Sequence, residues 1–134
     1  MMMTYICFGT NDLVRAGRFY DATLGALGYK RYPPSDDSDP NIWVGWGPAE
    51  PSFWLCKPFD GAPATVGNGS MIAFDAKSWK EVDEFHSAAL AHGGKSEGPP
   101  ALRLQYSPDF YAAYVRDPDG NKVAAICRGF TTDK

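Results

Sequence analysis

The side chains able to do chemistry in this 134-residue chain are few and widely spaced. Nucleophilic or acid–base catalysis needs a thiol, hydroxyl or carboxylate held beside a base, usually a histidine. The only histidines, His86 and His92, fall in a stretch of helical periodicity. Its capping pattern places both on the helix layer, where neither can serve a strand residue. Cys7 as a nucleophile therefore has no base. Cys7, Cys56 and Cys127 are odd in number, far apart, and each inside an apolar strand-like run. They are expected to be buried structural thiols in a reducing compartment, the cytoplasm. Arg103, within Leu102-Arg103-Leu104-Gln105-Tyr106, is the best polar candidate, because its planar fork can pair with an anionic group. An exposed loop arginine is the equal alternative. Gly67-Asn68-Gly69 is a turn signal and not a phosphate cradle, since no helix follows the loop closely. Four Trp, seven Tyr and eight Phe are generous for the core of so short a chain. They suit an apolar ligand cavity, with a plain core as the competing reading.

Stepping outward from these residues, the elements that position them repeat. A shift of 66 residues lays Tyr5-Ile6-Cys7-Phe8 on Met71-Ile72-Ala73-Phe74, and Phe19-Tyr20-Asp21-Ala22-Thr23-Leu24 on Phe85-His86-Ser87-Ala88-Ala89-Leu90. Gly28 falls on Gly94, and with a slightly larger offset Pro48 falls on Pro118. Tyr5 to Gly9 reads as a strand. Asn11 is the expected N-cap of a helix running to Gly28. Met71 to Phe74 is the matching strand, and Ser78-Trp79-Lys80-Glu81 has capping-box spacing at the start of a helix that Gly93-Gly94 ends. Three shorter strands follow each helix: Tyr29 to Tyr32, Ile42 to Trp46 and Phe53 to Cys56, then a weak stretch at Lys95 to Glu97, Tyr111 to Arg116 and Lys122 to Cys127. Asp117-Pro118-Asp119-Gly120-Asn121 is turn chemistry closing a hairpin. Pro33 to Pro40 is a polar loop.

The pattern predicts an α+β fold of paired βαβββ modules, with two curved mixed sheets enclosing a cleft and the helices outside. One domain is expected over 1–134, with modules at 4–58 and 70–130 joined by a linker at 59–69. The net charge of −3 and pI near 5.2 leave no basic footprint for nucleic acid or an anionic membrane. No run approaches the ~18 apolar residues of a membrane span, and the N-terminus lacks the pattern of a secretory signal.

Several stretches together resemble the glyoxalase/bleomycin-resistance/dioxygenase (vicinal oxygen chelate) superfamily, in its lactoylglutathione-lyase-like bacterial branch. They are Gly9-Thr10-Asn11-Asp12-Leu13, Phe19-Tyr20-Asp21 with Leu24-Gly25-Ala26-Leu27-Gly28, Gly67-Asn68-Gly69, Phe85-His86 with Ala88-Ala89-Leu90, and Asp117-Pro118-Asp119-Gly120-Asn121-Lys122. The resemblance implies that metal-dependent members take one ligand from the first and one from the last strand of each module, as His, Gln or Glu. Carried over, those places fall on Tyr5, Trp54 (or Phe53 after a one-residue slip), Met71 and Ala124. None suits a hard divalent ion. No cofactor is therefore expected, and a divalent metal only at a non-standard site.

Alternation puts Tyr5 and Cys7, Trp54 and Cys56, Met71 and Ala73, and Ala124 and Ile126 in the cleft. Trp43 or Trp46, and Tyr111 or Tyr114, should add its walls, with Arg103 and Tyr106 nearby. The expected function is binding of a small, partly aromatic or anionic molecule. A lactoylglutathione-lyase-like lyase or dioxygenase with a non-standard metal site is the alternative, and a partner-binding role a third. The resemblance also implies a homodimer, with the cleft formed within one chain or across two.

Overall fold

A computed structural model of the chain describes residues 2–33 and 43–130. The polar loop expected from Pro33 to Pro40 lies, after its first residue, outside the described residues, as does the expected start of the third strand at Ile42.

The first module runs β1 (Ile6–Gly9), α1 (Leu13–Ala26), β2 (Lys30–Arg31), β3 (Val44–Gly47) and β4 (Phe53–Cys56). The second runs β5 (Met71–Asp75), α2 (Trp79–Ala91), β6 (Lys95–Leu102), β7 (Phe110–Arg116) and β8 (Lys122–Arg128). The sheets have the same order, β1-β4-β3-β2 and β5-β8-β7-β6, and neither is closed into a barrel. In each, the first strand pairs in parallel with the last, and the remaining pairs are antiparallel. The 66-residue repeat in the sequence is thus a repeat of topology.

Local chemistry explains the element ends, with two corrections to the expectations. Asp12, not Asn11, caps α1: its extended backbone precedes the first helical residue, and its carboxylate accepts the Arg15 N–H at 3.0 Å. Asn11 instead holds the linker, donating to the Ala64 carbonyl at 3.0 Å and accepting its N–H at 2.7 Å. In α2 the capping box forms, with Ser78 Oγ accepting the Glu81 N–H at 3.1 Å and the Glu81 carboxylate accepting the Lys77 N–H at 2.8 Å. Gly28 and Gly93 both leave their helices at φ +89°, a conformation that favours glycine. The second correction is β6, which is longer than expected. It runs through Pro99-Pro100 because it is the sheet's edge, and its register shifts on either side of Gly98.

One core serves both modules. α1 and α2 pack against each other and onto the sheets, burying Phe19, Leu24, Val82 and Phe85 with Trp46, Phe53, Leu55, Val115 and Val123. Phe53 of the first sheet meets Phe74 of the second edge-to-face at 5.3 Å. Among the described residues no helix covers the opposite faces of the two sheets, and the candidate site lies there.

Candidate functional site

On the first sheet, pairing sets the geometry. Cys7 lies opposite Trp54, which lies opposite Gly45, and Gly9 lies opposite Cys56. The Trp54 ring lies flat across Gly45, where a Cβ would come within 2.7 Å of it, so this glycine makes the space the indole occupies. Trp43, just before β3, meets Trp54 at 6.3 Å in a T-shaped contact. Tyr5, Trp43 and Trp54 together line a cavity of about 400 Å³ with Thr4, Glu50 and Pro51. Tyr5 and Ala73 also border a cavity of about 330 Å³ where β1 and β5 approach, with Met3 and Phe74 among its walls.

On the second sheet Ala124 sits between Ala73 of β5 and Tyr114 of β7, and Ile126 lies opposite Ala112 and Asp75. Tyr114 carries two cations against its ring, the Arg103 guanidinium and the Lys122 ammonium, each 5.4 Å from the centroid. Arg103 also donates to the Pro99 and Ala112 carbonyls, which ties it to the irregular stretch of β6. Its Nε is buried with no hydrogen-bond partner. Met71 remains exposed. Tyr106 is exposed and rests on Phe110 at 5.1 Å. Sequence reasoning missed Lys122, although β8 alternation from Ala124 places it on the same face.

Alternation also decides the two pairs left open. Trp43 and Tyr114 lie on the open faces, whereas Trp46 and Tyr111 face the helices and are corrected out of the cleft. Trp46 is 1% exposed and donates its indole N–H to Asp21 at 3.0 Å. Tyr111 stacks on Trp79 at 4.4 Å and donates to Asp83 at 2.6 Å. Burial, and then the bond to Asp83, push its phenol up to about 12. The physical reason is parity: three residues along a strand reverse the face.

The thiols depart from expectation as well. Cys56 and Cys127 are buried, but Cys7 is exposed. Burial and the neighbouring Cys7 raise the Cys56 thiol to about 11. His86 bonds to Ser96 Oγ at 2.8 Å and His92 to the Ala88 carbonyl at 2.8 Å. Burial lowers the His86 pKa, opposed by Asp83. Both histidines belong to α2 and the turn after it.

The two motifs that carried the resemblance hold the modules together. Tyr20 donates to Asp117 at 2.7 Å, and Thr10 Oγ1 donates to Asp119 at 2.6 Å. Asp21 accepts from Trp46 and from Arg31, the latter at 2.7 and 3.0 Å. Asp117 further accepts three bonds from its own turn. These motifs are structural.

The architecture is that of paired βαβββ modules with open sheet faces, and solved structures share it. The chain is 38% identical, with a TM-score of 0.80, to a glyoxalase/bleomycin resistance protein from Albidiferax ferrireducens T118, covering 96% of this chain and all of that one. A glyoxalase-related enzyme from Fulvimarina pelagi matches over 96% of this chain and 88% of that one at 20% identity and TM-score 0.70. A lactoylglutathione lyase from Agrobacterium tumefaciens matches over 95% and 92% at 22% and 0.62. No protein-family model matches the chain, and no curated protein does. The chain belongs to the glyoxalase/bleomycin resistance protein/dioxygenase superfamily. That fold hosts many chemistries, so function must be argued from the site.

The residues at the superfamily's expected ligand places, Tyr5, Trp54, Met71 and Ala124, do not fit a divalent ion. A phenol, an indole, a thioether and a methyl group offer no histidine or carboxylate donor. Among the described residues no three of His, Cys, Asp and Glu gather to hold a metal. Likewise, no helix among them is long and apolar enough to cross a membrane.

Proposed function

We propose that this chain binds a small, partly aromatic or anionic molecule on its open sheet faces, without the divalent metal used by metal-dependent relatives. The observation that carries this reading is the cavity of about 400 Å³ lined by Tyr5, Trp43 and Trp54. Three aromatic rings and Pro51, with Thr4 and Glu50 as the polar groups, have the composition of a small-molecule site. An anionic group would be favoured on the second sheet, where the Arg103 guanidinium and the Lys122 ammonium each lie 5.4 Å from the Tyr114 ring centroid. The three free thiols suit a reducing cytoplasm. A homodimer would cover the exposed Tyr5, Trp43 and Met71 and close the cleft with a second copy.

The test is thermal denaturation against a panel of aromatic carboxylates and their neutral amides. A ligand of the native state must raise the melting temperature as its concentration rises. The expected result is a shift with the carboxylates that Trp54→Ala abolishes. A panel that never moves the melting temperature overturns the reading. Stoichiometric nickel, zinc, manganese or iron surviving dialysis favours the lyase or dioxygenase alternative instead.

A further inference from the structure

We propose that Cys7 and Cys56 form a two-coordinate dithiolate site for a soft monovalent cation of the Cu(I) and Ag(I) class. β1 and β4 are parallel neighbours, with Cys7 opposite Trp54 and Gly9 opposite Cys56. Residues two apart on one strand share a face, so both thiols lie on the open face in diagonal positions. Cys7 is close enough to Cys56 to help raise its thiol pKa. Cys7 is exposed and gives the ion its entry, while Cys56 is 6% exposed and gives it a desolvated anchor. Gly9, beside Cys56, adds no side chain, and the space there is closed by Pro58 and Ala64, to which a Cβ on Gly9 would come within 3.3 Å.

The diagonal spacing selects the chemistry. Strands about 4.8 Å apart with a rise of about 6.6 Å per two residues put diagonal Cα atoms about 8 Å apart, beyond the roughly 4.4–6.8 Å Cα separation that a disulfide spans. A bridging cation extends the span by two metal–sulfur bonds, each about 2.3 Å when the metal is zinc. The donor set selects the ion. Thiolates are soft ligands that favour Cu(I) over hard cations. No third His, Cys, Asp or Glu completes a metal-holding group among the described residues. Zinc, which takes four ligands, is therefore disfavoured against an ion content with two. Binding is then two thiols plus one monovalent cation giving a dithiolate complex of charge −1 and two released protons, with no change of oxidation state. The site does not depend on the organic ligand proposed above.

Ag(I) in chloride-free buffer is the probe, titrated into the full chain with proton release followed by pH-stat at pH 7. The wild type is expected to bind one Ag(I) with about two protons released, consistent with both thiols being consumed. Cys7→Ser and Cys56→Ser should each weaken binding by about 10²-fold or more, the range a second tethered ligand contributes. Cys127→Ser should leave it unchanged, because that thiol is buried in the other module. Cys7 is exposed, so its variant keeps the fold, and far-UV circular dichroism checks the Cys56 variant. Release of a single proton by the wild type, or undiminished affinity in a folded Cys56→Ser, would show a lone exposed thiol and overturn the proposal. An equal loss in Cys127→Ser would overturn it too.

Discussion

The phenol of Tyr20, in the helix of the first module, donates a 2.7 Å hydrogen bond to Asp117 in the β7–β8 turn of the second. Tyr20 is fully buried, and the bond spans 97 positions of sequence. Burial first, and then the Asp117 charge and hydrogen bond, push the phenol well above its ordinary pKa, so it remains a donor throughout the working range. Removing only its oxygen isolates the latch from the packing of the ring. Tyr20→Phe is expected to lose about 1–3 kcal/mol, the range for a bond to a buried acceptor left partly unsatisfied. Urea unfolding measures this; a midpoint equal to that of the wild type would show that the latch contributes nothing.

Asp117 gives the second prediction, with an unusual pH dependence. Its pKa is raised because burial outweighs the bonds from Tyr20 and Asn121 that favour its charge. A carboxyl with a raised folded pKa binds more protons in the native state than in the unfolded one. Its contribution is then fullest below the ordinary carboxylate pKa of about 4 and declines as pH rises through the raised value. Asp117→Asn removes this titration. The stability difference, wild type minus variant, should narrow as unfolding is measured from acid toward neutral pH. A difference that widened would mean that the four donors around the carboxylate outweigh its burial.

Asp21 is tested by what it leaves behind. It accepts the buried Trp46 indole N–H at 3.0 Å and pairs with Arg31 at 2.7 Å. Asp21→Ala orphans the indole donor and should cost about 1–3 kcal/mol. Asp21→Asn keeps an oxygen for the indole and should recover much of that loss. Denaturant midpoints for the pair distinguish the hydrogen bond from the partly exposed ion pair, which contributes little.

Gly45 controls the candidate cavity without entering it. A Cβ there would come within 2.7 Å of the Trp54 ring. Gly45→Ala should displace the indole, alter tryptophan emission and abolish any melting shift from the carboxylate panel. Overpacking of this kind costs about 1–3 kcal/mol. A Gly45→Ala variant with wild-type emission and ligand response would remove Trp54 from the site.

Phe53 meets Phe74, Tyr20 and Trp46 within 5.9 Å and joins the two sheets. Phe53→Ala should destabilise by about 3–5 kcal/mol through lost burial and the cavity left behind. Calorimetry should show a lower melting temperature; an unchanged value would place the shared core elsewhere.

Much of this molecule could be read from local chemistry. The 66-residue repeat, the alternation of each strand and the glycine helix stops depend on neighbours in sequence, so the paired βαβββ order and the open-face positions of Tyr5, Trp54, Met71 and Ala124 were legible. Residue type alone gives a phenol, an indole, a thioether and a methyl group at those four places. Other features required tertiary structure. Trp43 and Trp46 are equally aromatic, and only strand pairing assigns one to the cavity and the other to the core. Asn11 and Asp12 are both good caps, and the backbone at Asp12 decides between them. Cys7 and Cys56 are 49 positions apart and unremarkable singly; the parallel pairing of β1 with β4 brings them together. The sequence by itself determined periodicity and chemical type, which are local properties. Which distant side chains meet was decided by the tertiary structure, because one packed core and two strand registers set it.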